Sequence, residues 1–262
     1  MNIDLTGKVA IVCGSTKGIG KAIAVELASL GCNVTLFARD KAAMHKTMND
    51  LDSSRGQVHG FIAADFNDLR QVSSVIDAYT KANNHVHILV NNSGGPSPGN
   101  ILEAEAQDFE TAFTRHLLCN QEIVKAVVTA MKLERYGRII NVISTSVKVP
   151  IPGLGVSNTI RGAVASWAKT LATELAPFGI TVNNILPGFT NTDRLNDIIR
   201  QRAAHAGISA DELVKTMKEG IPARRFADPA ETAALAGFLA SPSAAYITGT
   251  SIRVDGGSTP SI

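Results

Sequence analysis

Short runs of β-branched and aliphatic residues recur along the chain at 9–12, 34–37, 58–63, 88–90, 138–143, 181–185 and 251–254. Each is too short for a helix and each is bounded by polar or glycine-bearing segments, so each predicts a strand. Helix-length segments with spaced apolar residues lie between them. Ile19, Ile23, Leu27 and Leu30, at spacings of four, four and three, share one face of a helix after the first run. Strands alternating with helices predict an α/β fold: a doubly wound, mostly parallel seven-stranded sheet, helices on both faces, and right-handed crossovers. No internal repeat, low-complexity linker or composition break divides the chain, so residues 1–262 are expected to form a single domain. Segment 191–226 departs from the rhythm. It is longer, more charged and mostly helical in pattern, and is expected to be a substrate lid.

Composition agrees with that picture and narrows the partners. With 45% hydrophobic, 18% charged and only 5% aromatic residues, the chain suits helices packed closely on a parallel sheet. A net charge of +2 and the lack of a dense Lys/Arg run argue against a nucleic-acid partner. Cys13, Cys32 and Cys119 have no CxxC spacing and cannot all pair internally, which points to a reduced, cytoplasmic setting. The first strand begins within ten residues of the N-terminus, leaving no room for a signal peptide, and no apolar run approaches ~18 residues. Neither a membrane span nor a membrane partner is expected.

The first chemical signal is Cys13-Gly14-Ser15-Thr16-Lys17-Gly18-Ile19-Gly20, placed between the first strand and the first helix. Glycines there let the backbone approach a pyrophosphate, and a helix N-terminus offers free N–H groups to its charge. Its placement predicts the phosphate loop of a Rossmann fold, with Gly14, Ser15, Lys17, Gly18, Ile19 and Gly20 as candidate cofactor contacts. The second strand ends Phe37-Ala38-Arg39-Asp40. An NAD(H) site carries an acid about twenty residues beyond the glycines, on the ribose 2′-OH. Ala38 stands in that place. Arg39 follows it, and Lys17 lies in the loop, so two cations are available to a 2′-phosphate and NADP(H) is expected. Asp40 is the residue that would instead accept the ribose hydroxyl and favour NAD(H).

Further motifs extend along the whole chain. Ala64-Asp65 follows the third strand, Asn91-Asn92-Ser93-Gly94 the fourth, and Pro187-Gly188 with Thr190 and Thr192 the sixth. Tyr246-Ile247-Thr248-Gly249 and Val254-Asp255-Gly256-Gly257 stand near the C-terminus. In order and spacing these resemble the short-chain dehydrogenase/reductase family, and within it the 3-oxoacyl-carrier-protein reductase-like group. The resemblance implies an adenine contact at Asp65, and cofactor contacts at Asn91, Ser93, Gly94, Pro187, Gly188 and Thr190. It also implies a homotetramer assembled through long helices at about 106–134 and 154–177.

The family's catalytic group is Asn, Ser, Tyr and Lys, and here three of its four places differ. Ser144 matches the Ser. Thirteen residues on, Ser157 stands where the Tyr belongs, and four further on Arg161 replaces the Lys. His116 occupies the place of the Asn. The three tyrosines, Tyr79, Tyr136 and Tyr246, lie far from 157 in sequence. A phenol ionises near pH ~10 and is readily tuned, whereas an aliphatic hydroxyl is far less acidic. Arg161 lies one helical turn from Ser157, stays charged, and can fork onto ribose hydroxyls or a carboxylate, or stabilise an oxyanion. His116, with an ordinary pKa of ~6.5, is the candidate to feed protons through water if it faces the cleft. His85 and His87 flank Val86 without further ligands, so no metal is expected.

Three functions remain compatible with these residues. One is an NADP(H)-dependent carbonyl reductase or alcohol dehydrogenase with an atypical site formed by Ser144, Ser157, Arg161 and His116. Another is an NADP(H)-binding pseudoenzyme or regulatory partner, favoured by the loss of Tyr and Lys. The third is a non-redox lyase or cyclase on the same scaffold. For the reductase, the 191–221 segment offers Leu195, Ile198, Ile199, Met217 and Ile221 beside Arg194 and Arg200, which suits an apolar substrate bearing an acidic group.

Overall fold

The computed structural model describes residues 1–83 and 85–261. Among them, seven strands form one sheet in the order β3-β2-β1-β4-β5-β6-β7, with every neighbouring pair parallel. The strands are β1 (Val9–Cys13), β2 (Asn33–Ala38), β3 (Gly60–Ala63), β4 (Ile88–Asn91), β5 (Gly137–Val142), β6 (Ile180–Pro187) and β7 (Ser251–Val254). The helices are α1 (Gly18–Ser29), α2 (Lys41–Met48), α3 (Leu69–Ala82), α4 (Ala106–Phe113), α5 (Cys119–Glu134), α6 (Gly155–Leu175), α7 (Asp193–Ala206), α8 (Ala210–Glu219) and α9 (Pro229–Ala240).

All seven expected strands are present, with two boundaries shifted by two residues and several others by one. The third starts at Gly60 rather than 58, because Val58 is exposed and its N–H bonds the Asn33 side chain instead of a neighbouring strand. The sixth runs on to Pro187. The long helix expected over 106–134 is interrupted. A π-helical turn over Thr114–Leu118 joins α4 to α5, and His116 sits in it. Such wide turns re-aim a side chain within an otherwise continuous helix.

Two apolar layers bury the sheet. Val12, Val34, Leu36, Val90 and Ile140 pack with Ile23 and Leu27 of α1 and Ala236 and Leu239 of α9 on one face. Ile11, Leu89, Ile139 and Val182 pack with Val72 of α3, Ile123 and Val127 of α5, and Ala168 of α6 on the other. Because β4 pairs with β1 and not with β3, successive crossovers diverge between β1 and β4, and a crevice opens at the C-terminal strand ends. No helix of the described residues is long and apolar enough to cross a membrane.

A ladder of side-chain amides fixes the register at those strand ends. The Asn91 amide donates to Asn141 Oδ1 at 2.9 Å, the Asn141 amide to Asn184 Oδ1 at 3.0 Å, and the Asn184 amide to Ser251 Oγ at 3.1 Å. The three asparagines are buried and lie directly opposite one another on β4, β5 and β6. At the opposite end of the sheet, His87 Nε2 donates to Glu134 at 2.6 Å while its Nδ1 accepts the Val9 N–H, and His85 pairs with the same carboxylate. Truncating the middle rung, Asn141→Ala, strands the Asn91 donor and the Asn184 acceptor in the interior. Denaturant unfolding should show a loss of about 2–4 kcal/mol; a loss below about 0.5 kcal/mol would remove the ladder from the account.

Candidate active site

A cavity of about 760 Å³ lies in the crevice at the C-terminal strand ends. The loop after β1 forms one wall with Gly14, Lys17, Gly18 and Ile19; Ser93 and Gly94 follow β4, Ser144 follows β5, and Pro187, Gly188 and Thr190 close β6. Ser157 and Arg161 reach it from the first turns of α6. The segment expected to be a lid supplies α7 and α8, which bring Arg194, Leu195, Ile198 and Met217 onto the same wall.

The phosphate loop is shaped by close backbone approach. Gly14 has φ +58°, and a Cβ there would stand 2.6 Å from the Asn92 carbonyl oxygen; one on Gly20 would stand 2.2 Å from the Gly14 oxygen. Gly20 therefore serves the packing of α1 onto the loop and does not reach the cavity. Asn92 Nδ2 donates to the Cys13 and Gly14 carbonyls, tying the loop to the end of β4. Helices α2, α3, α7, α8 and α9 each carry a side-chain N-cap, whereas α1, like α5 and α6, has none, with Lys17 at its N-cap. Its first N–H groups are left to an anion, as a pyrophosphate requires.

Several expected contacts stand elsewhere. Ser15 is fully buried, and its Oγ accepts the Phe37 N–H, so its side chain joins β1 to β2 behind the wall. Asn91 belongs to the amide ladder, though its Oδ1 keeps no partner. Arg39 and Asp65 lie beyond the cavity at the ends of β2 and β3, 3.9 Å apart, with Arg39 largely exposed. The Asp40 carboxylate caps α2 by accepting the Ala43 N–H at 2.9 Å, an engagement that competes with a ribose hydroxyl.

The catalytic candidates divide in the same way. Ser144 Oγ accepts the Ser146 N–H at 3.1 Å, which leaves its own hydrogen free to donate. Arg161 is only 8% exposed and Nη1 donates to the Val142 carbonyl at 3.2 Å, fastening α6 to the end of β5. Burial first, then the charge of Arg194, lowers its pKa to about 10, so it remains a cation at neutral pH. His116 does not reach the cavity wall. It is 1% exposed, its Nδ1 is 2.6 Å from Ser93 Oγ, and its Nε2 has no partner. Burial, then the Arg161 and Arg115 guanidiniums, holds its pKa well below 6.5. It is thus a neutral group behind Ser93, which corrects the expectation of a histidine titrating in the cleft.

Three contributions had little signal in the sequence. The Ser93–His116 bond joins residues distant in sequence. Arg194 donates to the Pro96 carbonyl at 2.5 Å and Arg202 to the Pro152 carbonyl at 3.3 Å, so α7 is attached to both lips of the cavity. Val149 and Ile151, from the loop after β5, line the cavity as well.

Known proteins resemble this chain over nearly its full length. The profile of a family described as enoyl-(acyl carrier protein) reductase matches residues 14–259. The NADPH-dependent reductase BacG of Bacillus subtilis is 30% identical over 98% of this chain and 100% of its own. The 3-oxoacyl-[acyl-carrier-protein] reductase FabG of Vibrio cholerae is 34% identical over 97% of this chain and 98% of its own. The crystal structure of L-sorbose reductase from Gluconobacter frateurii, complexed with NADPH and L-sorbose, superimposes with a TM-score of 0.92 at 28% identity, covering 100% of both chains.

The buried imidazole has a measurable consequence. Below pH ~6.5 the unfolded chain takes up a proton at this position and the folded chain does not, so acidification destabilises the fold. His116→Asn should remove a slope of up to about 1.4 kcal/mol per pH unit between about pH 6 and 5. Stability profiles of the two proteins that run parallel over that range would contradict the assignment.

Proposed function

The chain belongs to the short-chain dehydrogenase/reductase family, and from that premise we propose that it is an NADP(H)-dependent oxidoreductase that reduces a carbonyl substrate through an atypical site. The uncapped N-terminus of α1 and the glycine loop fit the cofactor's pyrophosphate. Lys17 and Arg39 fit its 2′-phosphate, and the engagement of Asp40 as a helix cap supports that choice over NAD(H). Ser93, Gly94, Pro187, Gly188 and Thr190 fit its nicotinamide half. NADPH-dependence in BacG, and NADPH in the sorbose reductase complex, support the same reading. When bound, the reduced nicotinamide supplies hydride to the carbonyl carbon.

The observation that carries the proposal is a buried cation that shares a cavity with two hydroxyls: Arg161, Ser144 and Ser157 all line it. Ser144 donates its free hydrogen to the carbonyl oxygen. Arg161 stabilises the negative charge that gathers on that oxygen, and the low-polarity surroundings strengthen the effect. Ser157 gives a second hydrogen bond and leaves open the volume of the missing phenol ring. Protons reach the alkoxide from water in the open cavity, and His116 supports Ser93 from behind without titrating near neutrality.

One observation favours a second reading, an NADP(H)-binding protein without turnover. The titratable side chains on the cavity wall, among the described residues, are Lys17, Arg161, Asp193 and Arg194, and none of these is a phenol. A single experiment separates the two. NADPH should bind at least about tenfold more tightly than NADH, a difference of about 1.4 kcal/mol, and Lys17→Ala with Arg39→Ala should erase the preference. Wild-type protein should oxidise NADPH with a carbonyl panel, and Ser144→Ala should lower that rate about 10²-fold. Tight NADPH binding with no oxidation on any carbonyl leaves the second reading standing, and no NADPH binding overturns both.

A further inference from the structure

Arg161 and Arg194 approach the cavity from different elements, one from α6 and one from the first turn of α7. They converge on adjacent residues of the loop after β4. A Cβ on Gly95 would lie 3.7 Å from Arg161 Nη2, and the next residue, Pro96, accepts from Arg194 Nη2 at 2.5 Å. Among the described residues neither guanidinium forms an ion pair, although Arg39, Arg55, Arg200 and Arg225 each have a carboxylate partner. Each bonds one backbone carbonyl, Val142 for Arg161 and Pro96 for Arg194, and a guanidinium has five N–H donors.

Two like charges held near each other without a counter-charge destabilise the unliganded protein, and burial of one of them raises that cost. Asp193 is the one acid on the wall among the described residues. It also borders the neighbouring groove with Lys21 and Asn191 and forms no ion pair with either arginine. The same cavity also has an apolar lining, from Val149, Ile151, Leu154, Ile198, Met217 and Ile221.

We propose that Arg161 and Arg194 form a carboxylate-binding site, and that the protein's substrate is therefore an apolar carbonyl compound bearing a carboxylate. This names the substrate class of the reductase reading and rests on that reading only in taking the cavity to be the substrate's. The planar fork of each guanidinium suits the two oxygens of a carboxylate. Because Arg194 rides on α7, an anion bridging the two arginines also draws that helix against α6. Substrate charge and lid position are thereby linked. The arginine in the place of the family's Lys then has a use that Lys would serve less well, since a point charge does not present a two-pronged donor set.

The test is calorimetric binding of octanoate and of its neutral isostere octanamide, with and without saturating NADP⁺. Octanoate should bind the wild-type protein at least tenfold more tightly than octanamide. Arg194→Gln should weaken octanoate at least tenfold and octanamide less than twofold, and Arg194→Lys should recover part of the loss. Equal affinity for the two probes in wild type, or an equal loss of both in Arg194→Gln, would overturn the proposal. Failure of NADP⁺ to bind, with octanoate selectivity and its dependence on Arg194 intact, would overturn the reductase reading and leave the carboxylate site standing.

Discussion

The amide ladder across β4, β5 and β6 is the constraint from which the site follows. Three buried asparagines, paired in register, fix the C-terminal ends of three strands at one level. The residues immediately beyond them, Ser93 and Gly94, Ser144, and Pro187 to Thr190, are the wall of the cavity. A slip of one residue would break both side-chain bonds of Asn141 or Asn184, or the single one of Asn91, and turn every side chain of that strand to the opposite face. Position is thus set by buried polar groups that bond one another across the sheet.

On that frame the proposed chemistry is organised around charge. By the resemblance, Ser157 stands where the family carries its acid, and the buried guanidinium of Arg161 where it carries a flexible ammonium. A short aliphatic hydroxyl does not release a proton near neutral pH, but a preorganised cation acts on a developing oxyanion without reorganising. The changes at 93 and 116 belong together in the same sense. Ser93 stands where the resemblance places Ala and His116 where it places Asn, and the two are hydrogen-bonded at 2.6 Å. One departure from the family pattern supplies the partner that the other needs when buried.

The sequence carried the fold clearly because buried parallel strands are short apolar-rich runs between polar or glycine-bearing segments, and even the half-buried β7, Ser-Ile-Arg-Val, kept enough of that pattern to be read. The phosphate loop was equally legible, since its glycines stand together between the first strand and the first helix, although the backbone contact that Gly14 requires is with Asn92, far along the chain. Less could be read where one residue type serves two purposes. Ser15 and Asn91 fall within cofactor motifs, yet their side chains bond the sheet. Gly20 falls in the loop and serves helix packing. His116 was placed correctly at the helix position but its exposure was not legible, because the π-helical turn that buries it is a departure from the regular helical period. The carbonyl contacts of Arg194 and Arg202 leave no local pattern at all, as they join loops far apart in the chain.

The central claim is that positive charge at position 161, and not an ionising acid, supports reduction. It is tested most directly by single-turnover oxidation of bound NADPH by a carbonyl substrate as a function of pH. With the Arg161 pKa at about 10, the wild-type rate should stay level from about pH 6 to 9. Arg161→Met should slow it about 10²–10³-fold and Arg161→Lys should restore much of the loss. A wild-type rate that follows the titration of a single acid within that range, or an Arg161→Met rate equal to wild type, would contradict the account.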